Sequence, residues 1–98
     1  MHNQVISFIN HFSSFGQPVI DCFTRGNCYW FASLLLERFP DGEIVYNIVD
    51  NHFAWRRAGM TYDITGAIDG SGFINWNEYQ KIDPLHCSRI IRDCVMFD

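Results

Sequence analysis

Charge is scarce in this chain. Of 98 residues only 18% are Asp, Glu, Lys or Arg, and the formal net charge is -4. That poverty, set against 48% apolar residues, excludes a disordered acidic or basic tail as the main body of the protein. Positive charge is scarcer still, at seven Lys and Arg. They are scattered as Arg25, Arg38, Arg56, Arg57, Lys81, Arg89 and Arg92. No basic stripe exists to neutralise phosphates, so no nucleic-acid partner is expected. The one basic pair, Arg56 and Arg57, reads as a solvated hairpin tip. Long apolar runs are absent as well, which removes a membrane span from the expectations. The first residues, MHNQVISFINHF, lack a positive leading segment, and Asn3, Gln4, Asn10 and His11 interrupt their apolar positions. This is not a secretory signal, and a cytoplasmic location is the expectation. Repeats, low-complexity tracts and linkers are missing too, so residues 1–98 read as one domain.

Aromatics are abundant: 16% of residues, including nine Phe and three Trp. They supply a dense core to a chain whose small size limits how much surface it buries. Four cysteines are present, Cys22, Cys28, Cys87 and Cys94. Without a secretion signal they are expected as thiols rather than disulfides. The gaps within Cys22/Cys28 and Cys87/Cys94 are wider than the usual spacing of zinc ligands. For Cys22, Cys87 and Cys94 the simplest reading is that of small buried hydrophobes.

Residues 3–15 carry Val5, Phe8, Ile9 and Phe12 at helical spacing, and Ser13, Ser14, Gly16 and Pro18 end the pattern. Residues 17–26, QPVIDCFTRG, read as a loop. Residues 28–39 form the clearest helix. Cys28, Phe31, Ala32, Leu35 and Phe39 fall on one stripe, Asn27 is a good N-cap, and Pro40 and Gly42 stop it. Residues 43–49, EIVYNIV, alternate as a strand. After a turn at Asp50 and Asn51, HFAWRR and MTYDIT flank Ala58 and Gly59 as a hairpin. GAIDGSG at 66–72 reads as a glycine-rich connection, and FINW as a further strand. Asp83 followed by Pro84 announces a helix over 84–94, with Leu85, Ile90, Ile91 and Cys94 as its apolar contacts. Helices segregated from strands define an α+β fold, with helices packed on a small antiparallel sheet.

Cys28 stands apart from the other thiols. A thiol attacks as its thiolate, and a helix N-terminus or a neighbouring imidazolium favours that form. Cys28 opens the clearest helix. Of the four histidines, His2 is terminal, His11 lies on a half-wet helix, and His86 is adjacent to Cys87, where helix side chains do not face each other. His52 opens a strand after a turn, a rigid position that suits a base. Asp63 lies on the partner strand. A turn of two or four residues puts His52 and Asp63 on one sheet face, and a turn of three separates them.

The order GNCYWFA, NHFAW and TYDITG resembles the Cys–His–Asp arrangement of the papain-like cysteine peptidase superfamily, its compact bacterial NlpC-like branch above all. The likeness covers about residues 25–66. It implies a minimal papain-like core, Cys28 as nucleophile, His52 as base and Asp63 as its orienting group. The implied reaction is acyl transfer on a peptide or amide bond, as peptidase, amidase or acyltransferase, with no metal and no cofactor. Gln17 and Asn27 are candidates for binding the oxyanion beside the backbone N–H of Cys28, and Tyr29 and Trp30 for an aromatic substrate wall. The chain departs from the family in being shorter than most members and in having Cys22, not Gln, just before the nucleophile.

Two non-enzymatic readings stand beside this one. Cys28 also lies on the apolar stripe of its helix, as a structural cysteine would. Exposed members of the set Tyr29, Trp30, Trp55 and Trp76 would then form a patch for a protein partner. Residues 67–78 match the later part of a calcium-binding loop through Asp69, Ser71, Gly72, Ile74, Asn75 and Glu78, but Ala67 stands where the first acidic ligand belongs.

Overall fold

The computed structural model describes residues 2–24 and 28–95, with side chains described for 2–21 and 28–90. Three helices come first: α1 (His2–Ser13), α2 (Gln17–Thr24) and α3 (Cys28–Arg38). Five strands follow, β1 (Glu43–Asn47), β2 (His52–Arg57), β3 (Met60–Asp63), β4 (Gly66–Ile68) and β5 (Phe73–Asn75). Then come α4 (Trp76–Ile82) and α5 (Pro84–Val95). The strands form one antiparallel sheet in the order β4-β3-β2-β1-β5, so the fold is α+β as expected.

The helical stripe read in the sequence is the one that is buried. Cys28, Phe31, Ala32, Leu35 and Phe39 all enter the core, with Val5 and Ile9 of α1 beside them. The opposing sheet face contributes Tyr46, Phe53, Trp55 and Tyr62, and Trp76 of α4 and Cys87 and Ile90 of α5 close one side. Many of these aromatic rings meet tilted or edge-on, as Phe53 does with Tyr29 at 5.0 Å and with Trp76 at 4.8 Å.

The other sheet face is also covered. Val45, Ala54 and Thr61 are fully buried although they alternate with the core residues. Residues 69–72 run from β4 at one edge to β5 at the other, across that face. Gly70 lies so close to β3 that a Cβ there would sit 2.5 Å from the Thr61 hydroxyl oxygen, and only glycine permits the approach.

Several local expectations need correction. Residues 17–26 are not a loop, because α2 occupies Gln17–Thr24. Pro18 falls in its first turn, where a missing N–H costs nothing. The connection at 66–72 contains β4, paired with β3 from Asp63↔Gly66 to Thr61↔Ile68. FINW is strand only to Asn75. There the Asn75 side chain accepts the Glu78 N–H at 2.9 Å and caps α4, a helix absent from the sequence reading. The first strand ends at Asn47, leaving Ile48 and Val49 exposed in the turn. Arg56 and Arg57 are not a solvated tip. Each pairs with a carboxylate at 3.0 Å, Glu43 and Asp41 respectively, and the Arg57 guanidinium lies over the Phe39 and Trp55 rings. In α5 Ile90 is buried as expected, but Leu85 is exposed to solvent; Ile91 and Cys94 lie outside the described side chains.

Candidate active site

The site is assembled by a turn. Ala58 and Gly59 both have positive φ, 51° and 80°, which is the two-residue hairpin turn whose twist matches the strands it joins. The register that follows is Arg57↔Met60, Arg56↔Thr61 and Trp55↔Tyr62. One step further sets Asp63 opposite Ala54, diagonal to His52 and on the same face. The side chains meet: His52 Nε2 lies 2.9 Å from Asp63 Oδ2.

Cys28 arrives from the other layer. The first residue of α3, it is buried, and its Sγ accepts the backbone N–H of Phe53 at 3.4 Å. Phe53 follows His52 in the chain, so this contact ties the start of the helix to the start of β2. The His52 ring is held well towards its cationic form, raised from 6.5 to about 9. Hydrogen bonding to Asp63 contributes most and hydrogen bonding to Cys28 next, while burial opposes both. Burial likewise pushes the Asp63 carboxyl up, but hydrogen bonds from His52, from the Thr65 hydroxyl and from the Thr65 N–H outweigh it and hold the group below its ordinary value. The fold thus unites all three residues expected to act together.

The supporting residues fare differently. Gln17 is exposed on α2, and its amide donates to Asp21 at 2.9 Å on the same helix. Asn27, both as oxyanion candidate and as helix cap, lies outside the described residues. Tyr29 is half-buried against Phe53, whereas Trp30 is 48% exposed beside it. Trp55 and Trp76 are buried and are not surface aromatics. Cys87 is a buried thiol, while the side chains of Cys22 and Cys94 lie outside those described. Thr65 was missed. Its signal in the sequence is a hydroxyl two residues after the acid, a spacing that folds back readily onto the acid's oxygen.

The calcium-loop residues are engaged elsewhere. Asp69 Oδ1 accepts both the N–H and the hydroxyl of Ser71, Asn75 caps α4, and Glu78 pairs with Lys81 at 3.7 Å. Among the described residues no three His, Cys, Asp or Glu side chains gather as metal ligands, and no helix is long and apolar enough to cross a membrane.

Fold and site together define a small α+β domain with a Cys–His–Asp constellation at the junction of a helix start and a sheet. A family model described as Phage YunG-like protein matches residues 5–90, and the chain belongs to that family. This corrects the papain-like resemblance: the match is to a Phage YunG-like family and not to a papain-like peptidase family. The shared features, a cysteine before a helix and a histidine and an acid on adjacent strands, are too few to carry a family assignment. No curated protein and no solved structure matches the chain.

Proposed function

We propose that this protein is a thiol-dependent hydrolase or acyltransferase acting on a peptide or amide bond, with Cys28 as nucleophile, His52 as acid and base, and Asp63 as the group that orients His52. The observation that carries the proposal is the imidazole of His52, engaged by Asp63 and by the Cys28 thiol together. Asp63 occupies Nε2 and leaves Nδ1 for the sulfur.

In the proposed cycle His52 already holds the proton, as the imidazolium partner of a Cys28 thiolate, when the sulfur attacks a carbonyl carbon. The Cys28 backbone N–H, in the first turn of α3 and without an intrahelical acceptor, meets the developing oxyanion. The imidazolium, kept charged by Asp63, gives its proton to the leaving amine. Water then cleaves the thioester in a hydrolase, and an amine does so in a transferase. A reducing, cytoplasmic setting suits this chemistry, because Cys28 and Cys87 are free thiols.

Two measurements test the proposal. Iodoacetamide at pH 6 is expected to alkylate Cys28 in preference to the other three thiols, and His52→Ala is expected to remove that preference. An activated ester, p-nitrophenyl acetate, is expected to release a burst of about one equivalent of nitrophenolate, the signature of an acyl-enzyme. Equal, slow labelling of all four cysteines together with no burst defeats the reading and leaves a protein-binding domain, with exposed Trp30 as its aromatic contact.

A further inference from the structure

Thr65 lies in the two-residue turn between β3 and β4, exposed to solvent, yet both of its hydrogen-bond donors point inward. Its N–H reaches Asp63 Oδ1 at 2.8 Å and its hydroxyl reaches the same oxygen at 2.5 Å. The second carboxylate oxygen, Oδ2, faces His52. The turn itself is held from below, because Ile64 is buried in the core while Asp63 pairs with Gly66 across it. We propose that Thr65 is the positioning residue of this site, fixing the Asp63 carboxylate so that one oxygen is presented to His52. The inference rests on the catalytic reading given above.

The physical reason is the softness of the carboxylate torsion. The last side-chain bond of Asp joins sp³ and sp² atoms and has a broad, roughly two-fold profile, so nothing intrinsic to Asp63 selects the orientation observed. Two donors on one oxygen select it. They also stabilise the charged form of the carboxylate, in the direction that keeps Asp63 ionised and able to orient an imidazolium. The polar groups facing Asp63 are His52 from β2 and Thr65 from the β3–β4 turn, with Cys28 of α3 beyond the imidazole. Both Thr65 donors are spent on Asp63, so the effect of Thr65 passes through that carboxylate.

The test separates positioning from a structural role in the turn. Thr65→Val removes the hydroxyl and keeps shape and backbone N–H; Thr65→Ser keeps the hydroxyl. The Asp63 carboxyl carbon, followed by NMR, is expected to titrate at higher pH in Thr65→Val and to return to the wild-type value in Thr65→Ser. Acylation by p-nitrophenyl acetate is expected to fall about tenfold in Thr65→Val, with its acidic limb moved to higher pH, and to recover in Thr65→Ser. An Asp63 titration unchanged in Thr65→Val overturns the inference. So does a loss of thermal stability shared by both variants with no change in titration. The NMR titration does not depend on catalysis. A wild-type protein without acylation therefore sinks the catalytic reading, while the hold of Thr65 on Asp63 is still judged from the carbon resonance.

Discussion

Two buried thiols occupy comparable places in this molecule and have opposite surroundings. Cys28 is the first residue of α3 and Cys87 is the fourth of α5, so both sit in the opening turn of a helix. Each has a histidine close by in space or in sequence. At Cys87, burial and the charge of Asp83 both push the thiol up. Its chain neighbour His86 is turned away, with Nδ1 at 2.5 Å from the Tyr79 hydroxyl. Asp83 itself is needed at that helix start, where its carboxylate accepts the His86 N–H at 3.1 Å. At Cys28 no carboxylate of the described residues bonds the sulfur directly. An imidazole stands between, and the carboxylate lies behind it. A helix start is therefore not a site by itself. What the fold brings beside the sulfur differs: a carboxylate at Cys87, and at Cys28 an imidazole from the sheet.

The largest effect that would sharpen this contrast belongs to the nucleophile. Cys28→Ser is expected to lower acylation by about 10³-fold or more, whereas Cys87→Ser leaves it at the wild-type rate, as measured by the nitrophenolate burst. His52→Ala comes next, with a loss of about 10²- to 10⁴-fold in the same assay. It should also make Cys28 as slow towards iodoacetamide at pH 6 as Cys87, and a Cys28 that stays fast would break the comparison.

Asp63→Asn should act on stability as well as on rate. The raised His52 group contributes stability that is full below its ordinary value of 6.5 and is lost as the pH rises through about 9. The lowered Asp63 group contributes stability present above its ordinary value of 3.8 and lost as the pH falls through its depressed value. The pair therefore stabilises the fold most between these limits. Chemical denaturation at pH 6 should show Asp63→Asn less stable than wild type by ~2–3 kcal/mol, and the gap should narrow at pH 10, where His52 has lost its charge but Thr65 still bonds the carboxylate. The smallest effect is expected from His86→Ala. It removes one hydrogen bond to Tyr79 at a cost of ~1 kcal/mol, visible in denaturant melts, and leaves the alkylation rates of both thiols unchanged.

Much of the fold was legible because helices declare themselves locally. The stripe from Cys28 to Phe39 and the start at Pro84 are patterns of three, four and one residue, and the chain realises both. The misreadings share one cause, a residue with two local meanings. In the sequence Pro18 reads as a bar to a helix, yet it stands in the first turn of α2 just after Gly16, whose φ of 106° ends the previous segment. Asn75 and Glu78 match calcium-ligand positions in the sequence, yet their spacing of three is also that of a capping residue and the N–H it satisfies. By its charge alone Arg57 belongs in solvent. Its aliphatic stem and planar head instead cover Phe39 and Trp55, a contact that requires knowing what lies under the hairpin.

The candidate site divides along the same line. The sequence alone determined which groups were available: a thiol at a helix start, an imidazole after a turn, a carboxylate on the next strand, and an order compatible with acyl transfer. Whether they meet was decided by the tertiary structure, through the parity of one turn. Two residues with positive φ, Ala58 and Gly59, put His52 and Asp63 on one face, and the packing of α3 on β2 brings the sulfur to the backbone N–H of Phe53, the residue after His52. Side chains alternate across a strand with a period of two, so one residue more in that turn sends the acid to the opposite face. Composition and spacing leave that choice open because it costs little locally. The buried core on one side of the sheet and the crossing segment on the other are what make a single register pay.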